Sequence, residues 1–316
     1  MRLLLVKTSS LGDVIHNLPV VTDIFRHFPG AKIDWCVEES FAAIPKLHPG
    51  VAQVIPVAVR RWRKKLLQSA TWREIGAFRR AVQQCDYDLV LDTQGLAKSA
   101  LIARQARGPL AGYAADSARE PLAARFYDRH YRIDKALHAV ERNRRLAAAA
   151  LGYSLSETVD YGIHVTAGEF AWLPTQPYIV LLTATSRDDK LWPEDHWVAL
   201  GCRLSERGLT CVLPGGSAVE RERASRLAGR IDGAVAAPPM RIDELASLLA
   251  GARGAVGVDT GLTHLAVALK TPTVAIYTAT EPGLTGVYGA GYHRNLGGKA
   301  QVPAIDSVLS ELLEGL

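Results

Sequence analysis

Four short stretches of this 316-residue chain combine hydroxyls, charges and glycine in patterns suited to chemistry on a phosphate or a hydroxyl. The first, Asp259-Thr260-Gly261-Leu262-Thr263-His264, follows the apolar run Gly254 to Val258. Leu262, Leu265, Ala266 and Leu269 recur behind it at helical spacing, which predicts a strand, a turn and then a helix. Thr260, Gly261 and Thr263 then lie near the helix's first N–H groups, whose missing partners and dipole both favour an anion. His264, one turn in, reads as a structural hydrogen bonder or as a catalyst.

The second stretch, Thr183 to Pro193, holds the hydroxyls of Thr185 and Ser186 and the charges of Arg187 and Lys190. A lysine there could neutralise a leaving phosphate without a metal; the same composition also suits a solvated polar loop. The third, Lys7 to His16, follows the first strand-like run. Gly12 permits a tight turn, and Asp13 opens the next helix. Its carboxylate either satisfies free amides or takes a proton from a hydroxyl as general base. The fourth, Asp92 to Ser99, offers Thr93, Gln94 and Lys98 to a polar acceptor, or makes a polar turn with a helix cap. Asp188-Asp189 has no convergent ligand set around it, and Asp86-Tyr87-Asp88, despite its DxD look, merely precedes a strand, so no metal site is read.

These stretches need strand ends to hold them. Apolar runs at Leu3–Val6, Ile33–Val37, Val54–Val57 and Leu89–Leu91 alternate with helical patterns at Leu18–Phe28 and Trp72–Gln83. A second series follows at Tyr178–Leu182, Thr210–Leu213, Ala234–Ala237, Ala255–Val258 and Thr273–Tyr277. The spacing is that of βα units, so the fold class is α/β, with a doubly wound Rossmann-like sheet in each half. The predicted domains are 1–165 and 166–316, joined where Gly, Thr and Pro collect between Gly162 and Pro177. A terminal amphipathic helix over Ile305–Leu313 could cross back to the first domain. Two such domains are expected to bind ligands in a cleft at their strands' carboxyl ends, where all four stretches fall.

Hydrophobic residues make up 48% and charged residues 22%, a soluble globular balance. Cys36, Cys85, Cys202 and Cys211 are scattered without a CxxC pair, which reads as reduced thiols and a cytoplasmic setting. The N-terminal apolar run is too short for a signal peptide, and no run reaches the roughly 18 residues of a membrane span. Net charge is uneven. Residues 1–165 carry 24 Lys/Arg against 16 Asp/Glu, and residues 166–316 carry 13 against 16. The basic half implies an anionic partner, and its densest cluster is Arg60-Arg61-Trp62-Arg63-Lys64-Lys65. No stacking platform accompanies that charge, which argues against nucleic acid. Gly215-Gly216-Ser217 lacks the lysine of a P-loop, and no GxGxxG follows the first strand.

Taken together, KTSSLGDVIHNLP, DTQGLAKSA, ATSRDDKLWP and VDTGLTHLAVAL resemble, in order and spacing, the ADP-heptose:lipopolysaccharide heptosyltransferases of glycosyltransferase family 9. The loop Arg187–Pro193 has the form of the type I enzymes, which add the first heptose of the inner core. The resemblance spans nearly the whole chain. It implies a GT-B fold, donor binding in the C-terminal half, acceptor binding in the N-terminal half, inversion at the anomeric carbon, and no metal or cofactor. It implies ADP-heptose as donor and Kdo-lipid A as acceptor. On its motifs Asp13 matches the base and Lys190 the residue at the donor phosphate. Thr185, Ser186, Asp259, Thr260, Gly261 and His264 match donor contacts, with Glu220 at the ribose and Met240 beside the adenine. An anionic lipid acceptor fits Ser10, Gly12, Thr93, Gln94, Lys98 and the cluster Arg60, Arg61, Arg63 and Lys64. That cluster would also face anionic lipid at the cytoplasmic side of the inner membrane as a peripheral contact, each cation contributing about 1 kcal/mol, with Trp62 free to insert. Three rivals stand beside this reading: a family member with another acceptor or sugar, a non-catalytic nucleotide- or lipid A-binding protein, and a nicotinamide oxidoreductase.

Overall fold

In the computed structural model, which describes residues 1–316, the first half's apolar runs become strands of one parallel sheet. They are β1 (Arg2–Val6), β2 (Lys32–Glu38), β3 (Val51–Val57), β4 (Leu89–Asp92), β5 (Leu110–Tyr113) and β6 (Arg129–Tyr131), in the order β3-β2-β1-β4-β5-β6. Leu3, Leu4, Leu5 and Val6 are all buried, as expected of a central strand covered on both faces. The second half forms β7 (Tyr178–Leu182), β8 (Thr210–Leu213), β9 (Val235–Ala236), β10 (Gly254–Val258), β11 (Thr273–Tyr277) and β12 (His293–Gly297). Their order, β12-β11-β10-β7-β8-β9, repeats the first sheet's winding. Each sheet is a doubly wound Rossmann-like domain, the pair that makes up the GT-B fold class.

The winding reverses between β1 and β4 and again between β7 and β10. At such a switch point the two following loops leave in opposite directions and open a crevice at the carboxyl ends of the strands. The chain divides into two compact units, Met1–Ile163 and His164–Leu316.

β5, β6 and β12 were not foreseen. β6 and β12 are short and rich in polar residues (Arg-His-Tyr and His-Arg-Asn-Leu-Gly), and each lies at a sheet edge, where one side needs no apolar cover. The second unit's core centres on Trp192 and Trp197, packed edge-to-face at 5.0 Å, with Val256, Val274 and Ile276 from β10 and β11. The terminal helix, Ile305–Gly315, packs on the second unit. Its stripe of Val308, Leu309 and Leu312 completes this second core.

Gly257, next to last in β10, carries the switch point's tightest contact. A Cβ there would collide with Thr263 Oγ1 and press on Leu182 Cβ at 3.0 Å. We therefore expect Gly257→Ala to lower stability by about 1–3 kcal/mol, read as a shift of the urea midpoint, since neither neighbour can yield without moving the turn.

Candidate active site

In the second unit three strand ends converge on one carboxylate. Asp259, just past β10, accepts a hydrogen bond from Lys190 Nζ at 2.6 Å and another from Thr280 Oγ1 at 2.8 Å, both on Oδ2. His264 Nε2 lies 3.9 Å from Oδ1. Lys190 arrives from β7 on the turn Asp188–Lys190, which Thr278 Oγ1 fixes by donating to the Asp189 carbonyl at 2.9 Å. Thr185 Oγ1 donates to the Asp259 carbonyl at 3.0 Å, stitching the loop after β7 to the turn after β10. Burial alone would raise the Asp259 carboxyl, but hydrogen bonds from His264, Lys190 and Thr280 hold it well below the usual carboxylate range.

Thr260 caps the helix Gly261–Ala268 in extended conformation. The Thr263 amide is already bonded to the Thr260 carbonyl at 3.1 Å, and its hydroxyl to Val258 O at 2.7 Å. Of the amides expected to meet an anion, those of Gly261 and Leu262 are the open ones by helix geometry, and Thr263 is a structural residue. Lys190 uses one of three N–H donors on Asp259, so its cation can still meet a phosphate. Ser186 is exposed beside this turn, and Arg187 is paired with Asp189. Glu220 follows β8 as the third residue of its helix. Its Oε2 accepts from the amides of Gly216 at 2.8 Å and Ser217 at 2.9 Å, a capping box. Met240 follows β9, half-buried. All of these residues sit at the carboxyl edge of one sheet.

In the first unit Asp13 lies in the helix Leu11–Ile15, with its side chain 25% exposed. Its Oδ2 accepts from Ser10 N at 2.9 Å and Ser10 Oγ at 3.2 Å, and Arg119 approaches to 3.8 Å. The carboxylate thus does cap the helix, through one oxygen. Gly12 lies inside this helix without a left-handed φ, so the expected glycine turn is absent: Ser10, in extended conformation, makes the corner.

Gln94 and Thr93 are hydrogen-bonded within their own unit. Gln94 Oε1 accepts from the amides of Thr8 at 2.9 Å and Ser9 at 3.2 Å, and its Nε2 donates to Ser9 O at 2.5 Å. Thr93 is buried, its carbonyl accepting from Lys7 Nζ at 2.8 Å. Burial pulls the Lys7 ammonium below its ordinary range, against the opposing pull of Asp13 and Asp92. Lys98 is exposed on the helix Ala97–Ala103. In the basic cluster, Arg61 is held by Glu39 at 3.0 Å and Glu74 at 2.9 Å, while Arg60 lies over the Phe41 ring at 5.4 Å. Arg63 and Lys64 are exposed. Trp62 is not free to insert anywhere: its indole donates to Glu74 at 2.7 Å and packs toward Phe78.

The sequence pattern of glycosyltransferase family 9 (heptosyltransferase) matches residues 75–307. This chain belongs to that family. The heptosyltransferase is 53% identical to lipopolysaccharide heptosyltransferase 1 of Pseudomonas aeruginosa over 92% of this chain and 82% of the relative. It is 49% identical to the Escherichia coli K12 protein of the same name, over 92% of this chain and 91% of the relative. Among solved structures it resembles E. coli heptosyltransferase WaaC with ADP, at 44% identity and a TM-score of 0.92 over 100% of both chains. It likewise resembles WaaC with ADP-2-deoxy-2-fluoro heptose, at 43% identity and a TM-score of 0.89 over 100% of both chains.

Sequence reading missed Thr280, Arg119 and Lys7 in this heptosyltransferase. Lys7 stood in the third stretch, and only its burial distinguishes it. Thr280 carried no signal beyond its place after β11.

The Asp259 pairing has a pH signature. Its folded carboxyl is held below the unfolded value of about 3.9, so its stabilisation is complete above roughly pH 5 and is lost as pH falls through and below 4. Urea midpoints should therefore fall more steeply between about pH 5 and 2 in wild type than in Asp259→Asn. Parallel curves would show that the pairing contributes nothing to folding.

Proposed function

We propose that this heptosyltransferase moves L-glycero-D-manno-heptose from ADP-heptose to the Kdo residue of Kdo-lipid A, peripherally at the cytoplasmic face of the inner membrane. The Lys190–Asp259 pair beside the Gly261–Leu262 amides carries the reading, because it offers a held cation and free N–H groups where a sugar diphosphate would leave. WaaC, its relative, has been solved with ADP and with an ADP-heptose analogue, which supports the same donor here. The second unit would take the donor, with Thr185, Ser186, Thr260 and His264 around phosphate and sugar, Glu220 at the ribose and Met240 at the adenine. The first unit, with 24 Lys/Arg against 16 Asp/Glu, would take the carboxylates and phosphates of the acceptor.

The step is one displacement with inversion. A Kdo hydroxyl oxygen attacks the anomeric carbon as its proton passes to Asp13, and the bond to ADP breaks with its electron pair on the phosphate oxygen. Ser10 anchors Oδ2 of Asp13, so Oδ1 is the oxygen that accepts the proton. Charge growing on ADP is met by Lys190 and the helix amides. No metal is required by this account, since the leaving charge has a protein cation.

Mass spectrometry of Kdo-lipid A incubated with ADP-heptose tests the proposal. Wild type should add one heptose. Asp13→Ala should retain donor affinity and lose turnover by about 10²–10⁴-fold. Near-normal turnover in the variant would remove Asp13 as base, and donor binding without transfer by wild type would remove this acceptor.

A further inference from the structure

The turn between the helices Val59–Trp62 and Ser69–Val82 bears an apolar tip that the proposed chemistry does not use. Leu67 is fully exposed, Leu66 is 49% exposed, and Trp72, at the start of the second helix, is 60% exposed. The turn is built rather than loose. Trp72 Nε1 donates to the Leu66 carbonyl and Thr71 Oγ1 to the Lys65 carbonyl, each at 2.8 Å. Those two bonds fasten the backbone and leave the leucine side chains outward.

The charges on this tip differ from those behind it. Arg61 is neutralised by Glu39 and Glu74, and Trp62 turns inward onto Glu74. Arg63, Lys64 and Lys65 are exposed and form no ion pair. Three unpaired cations bordering two outward leucines and an exposed indole match the interface of an anionic bilayer, where apolar groups enter the acyl boundary and cations stay with phosphates. No helix of the chain is long and apolar enough to cross a membrane.

We propose that Arg63–Trp72 is a membrane-docking tip, with Leu66, Leu67 and Trp72 inserting into an anionic bilayer surface and Arg63, Lys64 and Lys65 holding its phosphates. The setting rests on the proposed lipid acceptor, but the surface is tested without it.

The experiment is co-sedimentation of the full chain with phosphatidylethanolamine–phosphatidylglycerol vesicles and with phosphatidylcholine vesicles, no acceptor being present. Wild type should bind the anionic vesicles preferentially. Leu66→Ser/Leu67→Ser should weaken that binding by roughly tenfold or more while unfolding at the wild-type temperature. Val302→Ser, which removes an exposed apolar group elsewhere, should bind as wild type does. Acyl-chain bromine labels should quench wild-type fluorescence, and Trp72→Phe should lose that quenching. Wild-type affinity in the double leucine variant, or equal binding to both vesicle types, would overturn the proposal. So would a wild-type dimer that the double variant dissolves and vesicles do not bind, since the tip would then join two copies. Vesicle binding that survives while no acceptor is ever glycosylated would sink the transfer reading and leave the tip standing.

Discussion

A carboxylate can stand beside a phosphate-binding turn only if its charge is already cancelled, and that constraint organises the second half of this chain. Asp259 lies just past the end of β10, one residue before the cap of the helix whose first amides are proposed to meet an anion. Unpaired, it would repel a diphosphate. Lys190, Thr280 and His264 surround it instead, drawn from the loops after β7 and β11 and from the helix itself. The neutralisation also has a direction. Asp259 fixes where the Lys190 ammonium sits before any donor arrives, so less order is imposed when charge develops.

The first unit reaches the same end by a neutral route. Each sheet has its switch point between its first and fourth strands, and in each a side chain stitches the two loops that diverge there. In the second unit the stitch is the Thr185 hydroxyl on the Asp259 carbonyl, and in the first it is the Gln94 amide on Thr8 and Ser9. Gln94 is in turn held by Asp92, a buried carboxylate that burial pushes above its usual range against hydrogen bonds from Ser99, Tyr127, Gln94 and Gly95. Ser10 and Asp13 stand at the end of the segment that Gln94 clamps. The loop that carries Asp13, the proposed proton acceptor, is thereby tied to the core of its own domain.

Much of this was legible in the residues. Central strands such as Leu3–Val6 and Ala255–Val258 are buried on both faces and announce themselves as apolar runs, so the winding and the places of the four motifs could be read. The edge strands β6 and β12 could not, because their exposed positions are polar. At the candidate site, residue type singled out Asp13, Lys190 and Asp259 but could not say which polar groups were already used. Thr93, Gln94 and Thr263 look like ligand contacts in sequence, and in the fold their side chains bond backbone atoms: Val6 O, the Thr8 and Ser9 backbone, and Val258 O. Trp62 and Leu67 show the converse: in sequence the tryptophan looked like the group free to insert, and only packing shows that it faces Glu74 while the leucine faces out.

The central claim is that Asp259 sets Lys190 for the donor phosphate. A double-mutant cycle on ADP affinity, measured by calorimetry with Lys190→Met, Asp259→Asn and the combined variant, tests it most directly. The account predicts a coupling of about 1 kcal/mol or more, Asp259→Asn altering ADP affinity chiefly while Lys190 is present. Effects that add within roughly 0.3–0.5 kcal/mol would mean that the two residues act independently, and the claim would fail.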